Sequence, residues 1–557
     1  MKAAKGALTT GLLFGVGGLY LALVGLLLMM QARPIVFGVI NLGDAVLLAL
    51  GLASGAVAAG AGRSQAARFG AGLLAGIAAG ALMAALQVLI ATVPLQGMFI
   101  AASPALRSLL AFGFAPRPGA LAMLLAGAVT GIAGAILATR VSSLRRAVVA
   151  GGAALVIAGV FQQLIQLVMQ YGGIIGSIRD FLYTWQGLRP EGAIVIFVAA
   201  VAASEARFRL RRRDHVPDPD ERRRRRFIWA GIALLILVLL PVFAGAYIGE
   251  VLMLVGLYIL MGMGLNLEVG LAGLLDLGFV AFFAVGAYAT ALLTSGSAIG
   301  LLHLTFWEAM PLAVMISVVG GVLFGLPVLG VRGDYLAVAT LGLGEIVRIV
   351  VLSDFAAPLL GGPQGVLDIP KPSLGHFVLG SPVELFYLTL VCSGIAAFIA
   401  WRLENSRLGR AWEALRDDED VAQALGVNLI RSKLLAYGLG AAFAGLAGSI
   451  FAVMLSSVFP SSFQLLISIN VLALIIVGGM GSLPGVVLGA IALIGLPELL
   501  REFGDYRYLF YGAALIVMMR LKPEGLWPSE VRQRELHVDD ATEALDEGAD
   551  LVPAQPR

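Results

Sequence analysis

The chain has 557 residues, of which 59% are hydrophobic and only 13% are charged, and its formal net charge is +3. A soluble domain carries roughly 25% charged residues, so this composition excludes an ordinary soluble protein. Uncharged stretches such as 227–249 and 434–497 exceed the ~20 residues that an α-helix needs to cross a bilayer. We therefore predict an all-α, polytopic membrane protein. A β-barrel is disfavoured because the apolar runs are continuous rather than alternating.

The first 206 residues are predicted to form an N-terminal membrane domain. The opening apolar run is longer than the core of a signal peptide, and no clear A-x-A site follows it. We therefore expect a first helix that is retained. Hydrophobic runs predict helices near 7–30, 36–60, 69–92, 119–139, 147–170 and 192–206.

A basic linker at 207–227, RFRLRRRDHVPDPDERRRRRF, divides the chain into two predicted membrane domains. An arginine run can bind lipid headgroups or nucleic acid. Between two membrane helices, however, it fits a topology signal better. We therefore expect contact with the lipid bilayer and no nucleic-acid partner.

The second domain is predicted over 228–528, followed by a polar tail at 529–557 that we expect to be disordered. Two of its segments, 464–479 and 484–497, are short and are predicted either to span singly or to form a broken or re-entrant pair. The hydrophobic runs of both domains together make about 16 membrane segments. The runs lie near 228–247, 250–268, 277–294, 309–330, 335–352, 384–401, 434–456, 464–479, 484–497 and 507–520.

The basic residues predict the orientation of these helices. If Lys2 and Lys5 lie in the cytoplasm and the helices alternate, the other basic clusters also fall inside, whereas the sparsely charged connections 295–308 and 353–383 fall outside. The prediction is a multi-pass protein of a bacterial or archaeal cell membrane with a cytoplasmic C-terminus. The clusters are Arg63 with Arg68, Arg140 with Arg145 and Arg146, the linker, Arg332, the segment 402–433 and the tail from Lys522.

The segment 402–433, here called the polar island, is charged and helix-prone between long apolar segments. Asp417 is predicted to cap a short helix over 418–425, and Gly426 to end it. Val421, Ala422 and Leu425 would share one face of that helix. Such a helix suits the groove of a soluble partner. The alternative is a solvated loop with incidental helicity.

Sequence motifs for catalysis or cofactor binding are missing. The chain has no G-x-x-x-x-G-K-[ST], no nucleophile elbow, no H-E-x-x-H and no C-x-x-C. Its one cysteine, Cys392, and four isolated histidines favour neither a disulfide nor a metal site. We therefore expect no catalytic residue, no metal and no cofactor bound by this chain. A transporter or channel is favoured over an enzyme.

Several long segments, in one order over about 228–528, resemble the LivM-type permease subunit of branched-chain amino-acid ABC importers. The resemblance implies that ATP is used by partner subunits: two cytoplasmic ATPases drive a pore formed with a LivH-type permease, and an external binding protein delivers the amino acid. The segments are 264–293, 331–352, 361–372 (GGPQGVLDIPKP), 408–428 (LGRAWEALRDDEDVAQALGVN), 441–452, 472–490 and 523–528.

Under this resemblance, the polar island corresponds to the coupling loop that docks into the ATPase, with Glu413, Ala414 and Gly426 at the matching positions. The family's importers work by alternating access. The predicted coupling residues are Glu413, Ala414, Leu415, Asp417, Asp418, Val421, Ala422, Leu425 and Gly426.

Candidates for the substrate pathway are polar or glycine residues within membrane segments. Asn266, Glu268 and Asp276 flank glycines, which permit either a broken helix that lines a cavity or close helix packing with the acids near a membrane face. Glu345 and Arg348 lie on one helical face and are predicted either to pair or to contact a zwitterionic substrate. The flanked glycines are Gly264, Gly270, Gly273 and Gly278, of which the last three are pathway candidates together with Asn266, Glu268, Glu345 and Arg348.

Two further interpretations remain open. In the N-terminal domain, the segment 40–44 (INLGD) faintly resembles LivH-type permeases, yet no coupling loop follows before the linker. We interpret this domain as accessory or as a degenerate LivH-like unit. For the whole protein, the alternative to branched-chain amino acids is urea or short amides. A more distant alternative is a channel or membrane scaffold without ATPase coupling.

Overall fold

The computed structural model describes residues 2–60, 64–139, 142–169, 174–211, 219–328, 330–331, 333–501, 504, 506–522 and 524–529. The predicted disordered tail therefore lies almost entirely outside the described residues, as do Arg63, Arg140, Arg332 and the middle of the linker. The chain divides into two compact units, Met1–Ala233 and Leu234–Arg557. The predicted domain boundaries themselves remain a prediction.

Helices make up nearly all of the regular structure. The strands of the described chain form two small antiparallel hairpins, which pair β1 (Pro34–Val36) with β2 (Ile40–Asn41) and β3 (Ser373–Leu374) with β4 (Phe377–Val378). Ten helices in the described residues are long and apolar enough to cross a membrane, and an eleventh span results if one bent pair is counted. The predicted polytopic helical fold is confirmed.

The first unit is built around three closely packed helices, α3, α4 and α6. The predicted first helix is interrupted, because Gly25 adopts a φ of 91° between α1 and α2. The predicted helix 147–170 is bent by 74° between α7 and α8. The helices are α1 Lys2–Leu23, α2 Leu26–Gln31, α3 Leu42–Ala59, α4 Gln65–Thr92, α5 Pro104–Leu110, α6 Pro116–Thr139, α7 Ser142–Val160, α8 Gln162–Val168, α9 Ile174–Leu182 and α10 Pro190–Arg211.

The remaining helices belong mainly to the second unit, and an element of π-helix follows the first of them. The two predicted segments, 228–247 and 250–268, correspond to two helices that meet within α11 at Gly245, whose φ of 82° is not helical. The helices are α11 Pro219–Leu265, α12 Val280–Thr294, α13 Phe306–Val328, α14 Asp334–Leu352, α15 Ala357–Leu360, α16 Pro382–Glu404, α17 Arg407–Asp417, α18 Glu419–Ala424, α19 Leu429–Leu455, α20 Leu465–Gly478, α21 Leu483–Ala490, α22 Leu496–Leu499 and α23 Tyr506–Leu521.

Glycine contacts hold the three-helix core of the second unit together. A methyl group on Gly286 of α12 would clash with the backbone of Gly445 on α19, and one on Gly448 would clash with the Phe283 carbonyl. On the other side of α19, a methyl group on Gly321 of α13 would lie 2.7 Å from the Tyr437 carbonyl oxygen. The backbones therefore approach more closely than any larger residue allows.

The core of the first unit repeats these contacts. Gly55 of α3 meets the backbone of Gly131 on α6, and Gly134 meets the Leu52 carbonyl, while Gly80 of α4 would place a methyl group 2.9 Å from the Met123 carbonyl oxygen. The sequence pattern is shared as well. A-x-G-A-x-A occurs at 53–58 and 284–289, and G-x-A-G-x-I-x-A at 131–138 and 445–452. The trio α3, α4 and α6 thus packs internally like α12, α13 and α19.

The end of the second unit contains a helical hairpin. The short segments predicted at 464–479 and 484–497 fold back on each other as α20 and α21, where a methyl group on Gly489 would clash with the Leu474 carbonyl. The turn between them contains Gly479 and Gly481, with φ of 119° and 75°. Glycine is required here because other residues rarely adopt such angles.

The glycine-rich segment 361–365 forms a turn. Gly361, Gly362 and Gly365 all have positive φ, and Val366 pairs with Val458 beyond the turn. Close by in the sequence, the Lys371 ammonium donates hydrogen bonds to the carbonyls of the last turn of α19, at 2.7 and 2.8 Å. A cation at this helix end interacts favourably with the helix dipole.

Candidate coupling and transport sites

The polar island folds into two short capped helices, α17 and α18. Ser406 caps α17, and its hydroxyl accepts from the Leu408 and Gly409 amides. Asp418 caps α18, and its carboxylate accepts from the Asp420 and Val421 amides at 2.9 and 3.0 Å. The predicted cap, Asp417, is wrong: α17 continues to that residue, so the next aspartate takes the capping position. The alternative of a loop with incidental helicity is therefore disfavoured.

The end of α18 follows the prediction more closely. Gly426 has a φ of 93°, and the Val427 amide donates to the Ala422 carbonyl at 3.0 Å. This bond closes the last turn of the helix in the way that a glycine after a helix permits. The predicted glycine stop is confirmed.

One face of α17 and α18 is fixed to the rest of the unit. Trp412 is fully buried, and its indole N–H donates to the Ser432 carbonyl of α19 at 2.9 Å. Leu415 and Ala422 are also buried. These two predicted coupling residues therefore face inward and are placed to position the helices rather than to touch a partner.

The opposite face exposes apolar side chains. Val421 is 54% exposed and Leu425 is 78% exposed, whereas Ala422 is 1% exposed. The prediction that these three share one face is wrong, because Ala422 packs inward and the other two point away. The exposed tip of α18 is therefore apolar and is held on a rigid base.

An ion pair adds to this base. The Lys433 ammonium at the start of α19 lies 2.7 Å from a Glu419 carboxylate oxygen in α18. The lysine side chain is only 4% exposed, and the glutamate side chain is 22% exposed. The pair connects the short helix α18 directly to the long membrane helix α19.

The candidate pathway residues between α11 and α12 lie in a broken helix. α11 passes into a π-helix over Asn266–Leu271, and irregular backbone then runs to α12. Residues of other elements form hydrogen bonds with polar groups in this irregular segment. Asn266 Oδ1 accepts from the Gly481 amide at 2.9 Å, and the Leu277 amide donates to the Thr340 hydroxyl of α14 at 3.0 Å. The broken helix predicted as one alternative is present in this segment.

The same break contacts the polar island. The Arg416 guanidinium at the end of α17 donates to the Gly270 carbonyl at 3.0 Å. Gly273 has a φ of 71°, and a methyl group there would lie 2.8 Å from Cγ of the same arginine. The backbone of the broken helix therefore packs directly against the Arg416 side chain at the end of α17.

Two acids are buried inside the break. Glu268 is fully buried and Asp276 is 1% exposed, and the two carboxyl groups are neighbours. Both Glu268 oxygens and Asp276 Oδ2 have no hydrogen-bond partner among the described residues, and the same holds for the Tyr437 hydroxyl of α19. The Glu268 carboxyl occupies the space that a methyl group on Gly440 would need.

The glycines around the break permit close packing. A methyl group on Gly264 would lie 2.8 Å from the Gly440 carbonyl oxygen, and one on Gly278 would clash with the Thr340 carbonyl. Gly270 is equally crowded, since its added methyl group would lie 2.7 Å from the Gly481 amide nitrogen. The two predicted roles of these glycines, helix breaking and close packing, therefore occur together.

The third candidate group, Glu345 and Arg348 of α14, forms the predicted pair. Arg348 Nε donates to both carboxylate oxygens at 3.0 Å, and Nη2 makes a further bond. The two side chains are 41% and 34% exposed, so the pair remains accessible. Arg348 also borders a small cleft between α12 and α14.

Several residues of these sites were not predicted from the sequence. Trp412 and Lys433 fasten the polar island, Arg416 reaches the break, and Tyr437 and Gly440 border the buried acids. Only Trp412 carried a local signal, as a large aromatic residue within a charged segment. Among the described residues, no group of three or more His, Cys, Asp or Glu side chains is arranged to hold a metal ion.

Comparisons with known proteins place the second unit in a sequence family. The model of the family described as "Branched-chain amino acid transport system / permease component" matches residues 247–519. The LivM permease protein of Salmonella typhimurium is 42% identical over 303 residues, which cover 50% of this chain and 70% of that protein. LivM of Escherichia coli is 40% identical over the same length.

More distant relatives include the second kind of permease subunit. LivH of Salmonella typhimurium is 26% identical over 195 residues, which cover 32% of this chain and 62% of that protein. No solved structure matches the chain. The relatives are transport permease proteins by name, and their names describe no enzyme.

Proposed function

Because this chain belongs to the branched-chain amino-acid transport permease family, we propose that it is a pore-forming subunit of an ATP-driven importer of branched-chain amino acids. The LivM and LivH relatives are named as components of such a transport system. A chain with a polytopic helical fold and no motif for nucleotide binding requires separate subunits to use ATP. The proposed role is therefore transport, with hydrolysis carried out by partners.

One observation carries the proposal: the exposed apolar tip of α18 stands on a buried base. Val421 and Leu425 are exposed, while Trp412 and the Glu419–Lys433 pair fasten the helices to α19. An apolar helix face suits a groove on a second protein. Rigid attachment matters because a force applied at the tip then reaches the membrane helices rather than bending a loop. We propose that an ATPase subunit binds here.

The proposed assembly has further members. A LivH-type permease would complete the pore, two cytoplasmic ATPases would bind the permeases, and an external binding protein would deliver the amino acid. The positive-inside rule supports a cytoplasmic position for the polar island and the C-terminus. Closure of the ATPases would then move α17 and α18 and drive alternating access by rocking of helices.

For the N-terminal domain, we propose a degenerate permease core. The shared glycine contacts of α3, α4 and α6 with those of α12, α13 and α19 support this reading. The two cores differ in what lies between their second and third helices. In the first unit only residues 93–115 connect α4 to α6, whereas α14 to α18 intervene between α13 and α19. The first unit would thus contribute membrane helices and no coupling helix.

The decisive experiment targets the tip of α18. Leu425→Asp should abolish copurification of the ATPases and ATP-dependent leucine uptake in proteoliposomes, because a charge replaces an exposed apolar contact. The matched control is Leu374→Asp, which alters a residue that is 59% exposed in β3, beyond the other end of α16. It should retain ATPase binding. Full uptake by Leu425→Asp would contradict the coupling assignment, and uptake of urea instead of leucine would contradict the substrate.

A further inference from the structure

Inside the broken helix, four buried oxygen atoms have no hydrogen-bond partner among the described residues. They are both carboxyl oxygens of Glu268, Oδ2 of Asp276 and the hydroxyl oxygen of Tyr437 in α19. Glu268 is fully buried, and Asp276 and Tyr437 are only 1% and 2% exposed. Buried polar atoms in folded proteins nearly always have a partner, because an unpaired one costs free energy. A hydrogen-bonding group is therefore missing at this place.

The three side chains are neighbours, although they come from different elements. The Glu268 carboxyl lies against the backbone of Gly440 in α19, and Tyr437 lies one turn earlier in the same helix. The Tyr437 hydroxyl is close enough to both acids for their charges to act on it. Asp276 is held from its other side, because its Oδ1 accepts from the Gly278 amide at 2.7 Å. We call Glu268, Asp276 and Tyr437 the acid cluster.

The cations on the neighbouring elements are engaged with other groups. Arg416 of α17 donates to the Gly270 carbonyl. The helices α12, α20 and α21 carry no charged residue. The ion pairs on α14, α17 and α19 are Arg348 with Glu345, Arg416 with Asp417 and Lys433 with Glu419. Within the described part of the chain, no cation is therefore bonded to the acid cluster.

The missing group must supply a hydrogen atom. With both acids ionised, the four oxygen atoms would share one hydrogen, that of the Tyr437 hydroxyl, because a carboxylate only accepts. Two neighbouring carboxylates away from water also repel each other, and such pairs hold a proton between them. Ca²⁺ or Mg²⁺ would require about six or more oxygen ligands, whereas the acid cluster offers four. A proton needs neither additional ligands nor a cavity.

We propose that the acid cluster is a binding site for one exchangeable proton, which Glu268 holds at neutral pH. The protonated carboxyl group donates to Asp276 Oδ2, and the remaining negative charge on Asp276 also has the Gly278 amide as a donor. Loss of the proton at alkaline pH leaves two negative charges buried between the π-helix and the segment that begins α12. The site makes the broken helix sensitive to pH, and it does not depend on which substrate the protein carries.

The first test observes the proton directly. In purified protein in lipid nanodiscs, a protonated carboxyl group gives an infrared C=O stretching band that a carboxylate lacks. At neutral pH, Glu268→Gln should lose about one protonated carboxyl group per chain, because the glutamine supplies amide donors to Asp276 without binding a proton. The control is Asp354→Asn, at an exposed position of the same unit, which should retain the band of the unaltered protein. Equal bands in all three proteins would overturn the site.

The second test uses the pH profile of stability, which a purely structural role of Glu268 would not alter. From neutral to alkaline pH, the unfolding temperature of the unaltered protein should fall by about 5 °C more than that of Glu268→Gln, because only the unaltered protein loses the proton and gains a second buried charge. Parallel profiles would overturn the exchangeable proton. If Na⁺ in place of K⁺ restores the unfolding temperature at alkaline pH, a metal cation occupies the acid cluster and the assignment to a proton is wrong. Neither test measures transport, so their failure leaves the proposed function untouched.

Discussion

Removal of the Glu419 carboxylate should release α18 from α19. In the folded protein this carboxylate lies 2.7 Å from the Lys433 ammonium, which is almost fully buried. At an effective dielectric constant of about 20, two unit charges at this distance attract by about 6 kcal/mol before any desolvation cost. Breaking a buried pair by removing one partner costs about 3–5 kcal/mol. Because the glutamate is partly exposed, we expect about 2–3 kcal/mol for Glu419→Gln.

Hydrogen exchange of the Ala422 amide is the appropriate assay, since this residue is buried and its amide donates within α18 to the Asp418 carbonyl. A loss of about 2–3 kcal/mol in local stability corresponds to exchange that is about 30- to 150-fold faster. The measurement needs only the purified protein in lipid nanodiscs. It therefore tests the anchoring of the helix separately from any transport activity.

Two further variants complete this test. Gln423→Ala, on the exposed side of the same helix, should change exchange little, because substitutions at exposed positions usually alter stability by about 0.5 kcal/mol or less. Combining Glu419→Gln with Lys433→Met should recover much of the lost protection, since no charge is then left buried without its partner. If Glu419→Gln alone leaves the exchange of Ala422 as slow as in the unaltered chain, the pair does not hold α18 in place.

Three more predictions concern the membrane helices. Gly286→Ala should lower the free energy of unfolding by about 1–3 kcal/mol, because the added methyl group would clash with the backbone of α19. Gly342→Ala should leave it unchanged, because no atom lies within 4 Å of the position of the added methyl group. Thermal unfolding of the two purified variants distinguishes these outcomes. Glu268→Gln should unfold at nearly the same temperature as the unaltered chain, because an amide supplies donors to the neighbouring acid, while Glu268→Ala should unfold earlier. Arg416→Ala leaves a carbonyl of the broken helix without its hydrogen-bond donor, so it should raise the number of ATP molecules hydrolysed per amino acid imported. The control substitution Arg407→Ala, at an exposed position, should leave this ratio unchanged. If Arg416→Ala also leaves the ratio unchanged, Arg416 has no role in coupling.

The polar island could be predicted well from the sequence because its signals are local. A capping aspartate, a short apolar pattern and a terminal glycine lie within ten residues, and the predicted helix 418–425 differs from α18 by one residue at each end. The cap was misassigned because Asp417 and Asp418 are both suitable capping residues. Which one caps depends on where α17 ends, and the burial of Trp412 and Leu415 against the rest of the unit decides that.

The contacts that build the transport core could not be predicted in this way. Arg416 and Gly270 are 146 residues apart, and Asn266 and Gly481 are 215 residues apart. Each of these residues looks ordinary in its own segment. Tertiary packing, rather than local propensity, decides these features.

The hydrogen bonds of the break form a connected path between the polar island and the hairpin of α20 and α21. Arg416 of α17 binds the Gly270 carbonyl in the π-helix, and Asn266, at the start of that same π-helix, accepts from Gly481 in the hairpin turn. The path begins beside Gly273, which contacts the Arg416 side chain, and ends at Gly481, and both glycines lie in irregular backbone with positive φ. Irregular segments deform more easily than the helices they join, so a displacement of α17 would be absorbed there first. The exposed tip of α18 moves with α17, because Trp412 and the Glu419–Lys433 pair hold both helices to one base. A partner that pulls on the tip would therefore act on the broken helix, and through it on the segment that begins α12 and borders the cleft.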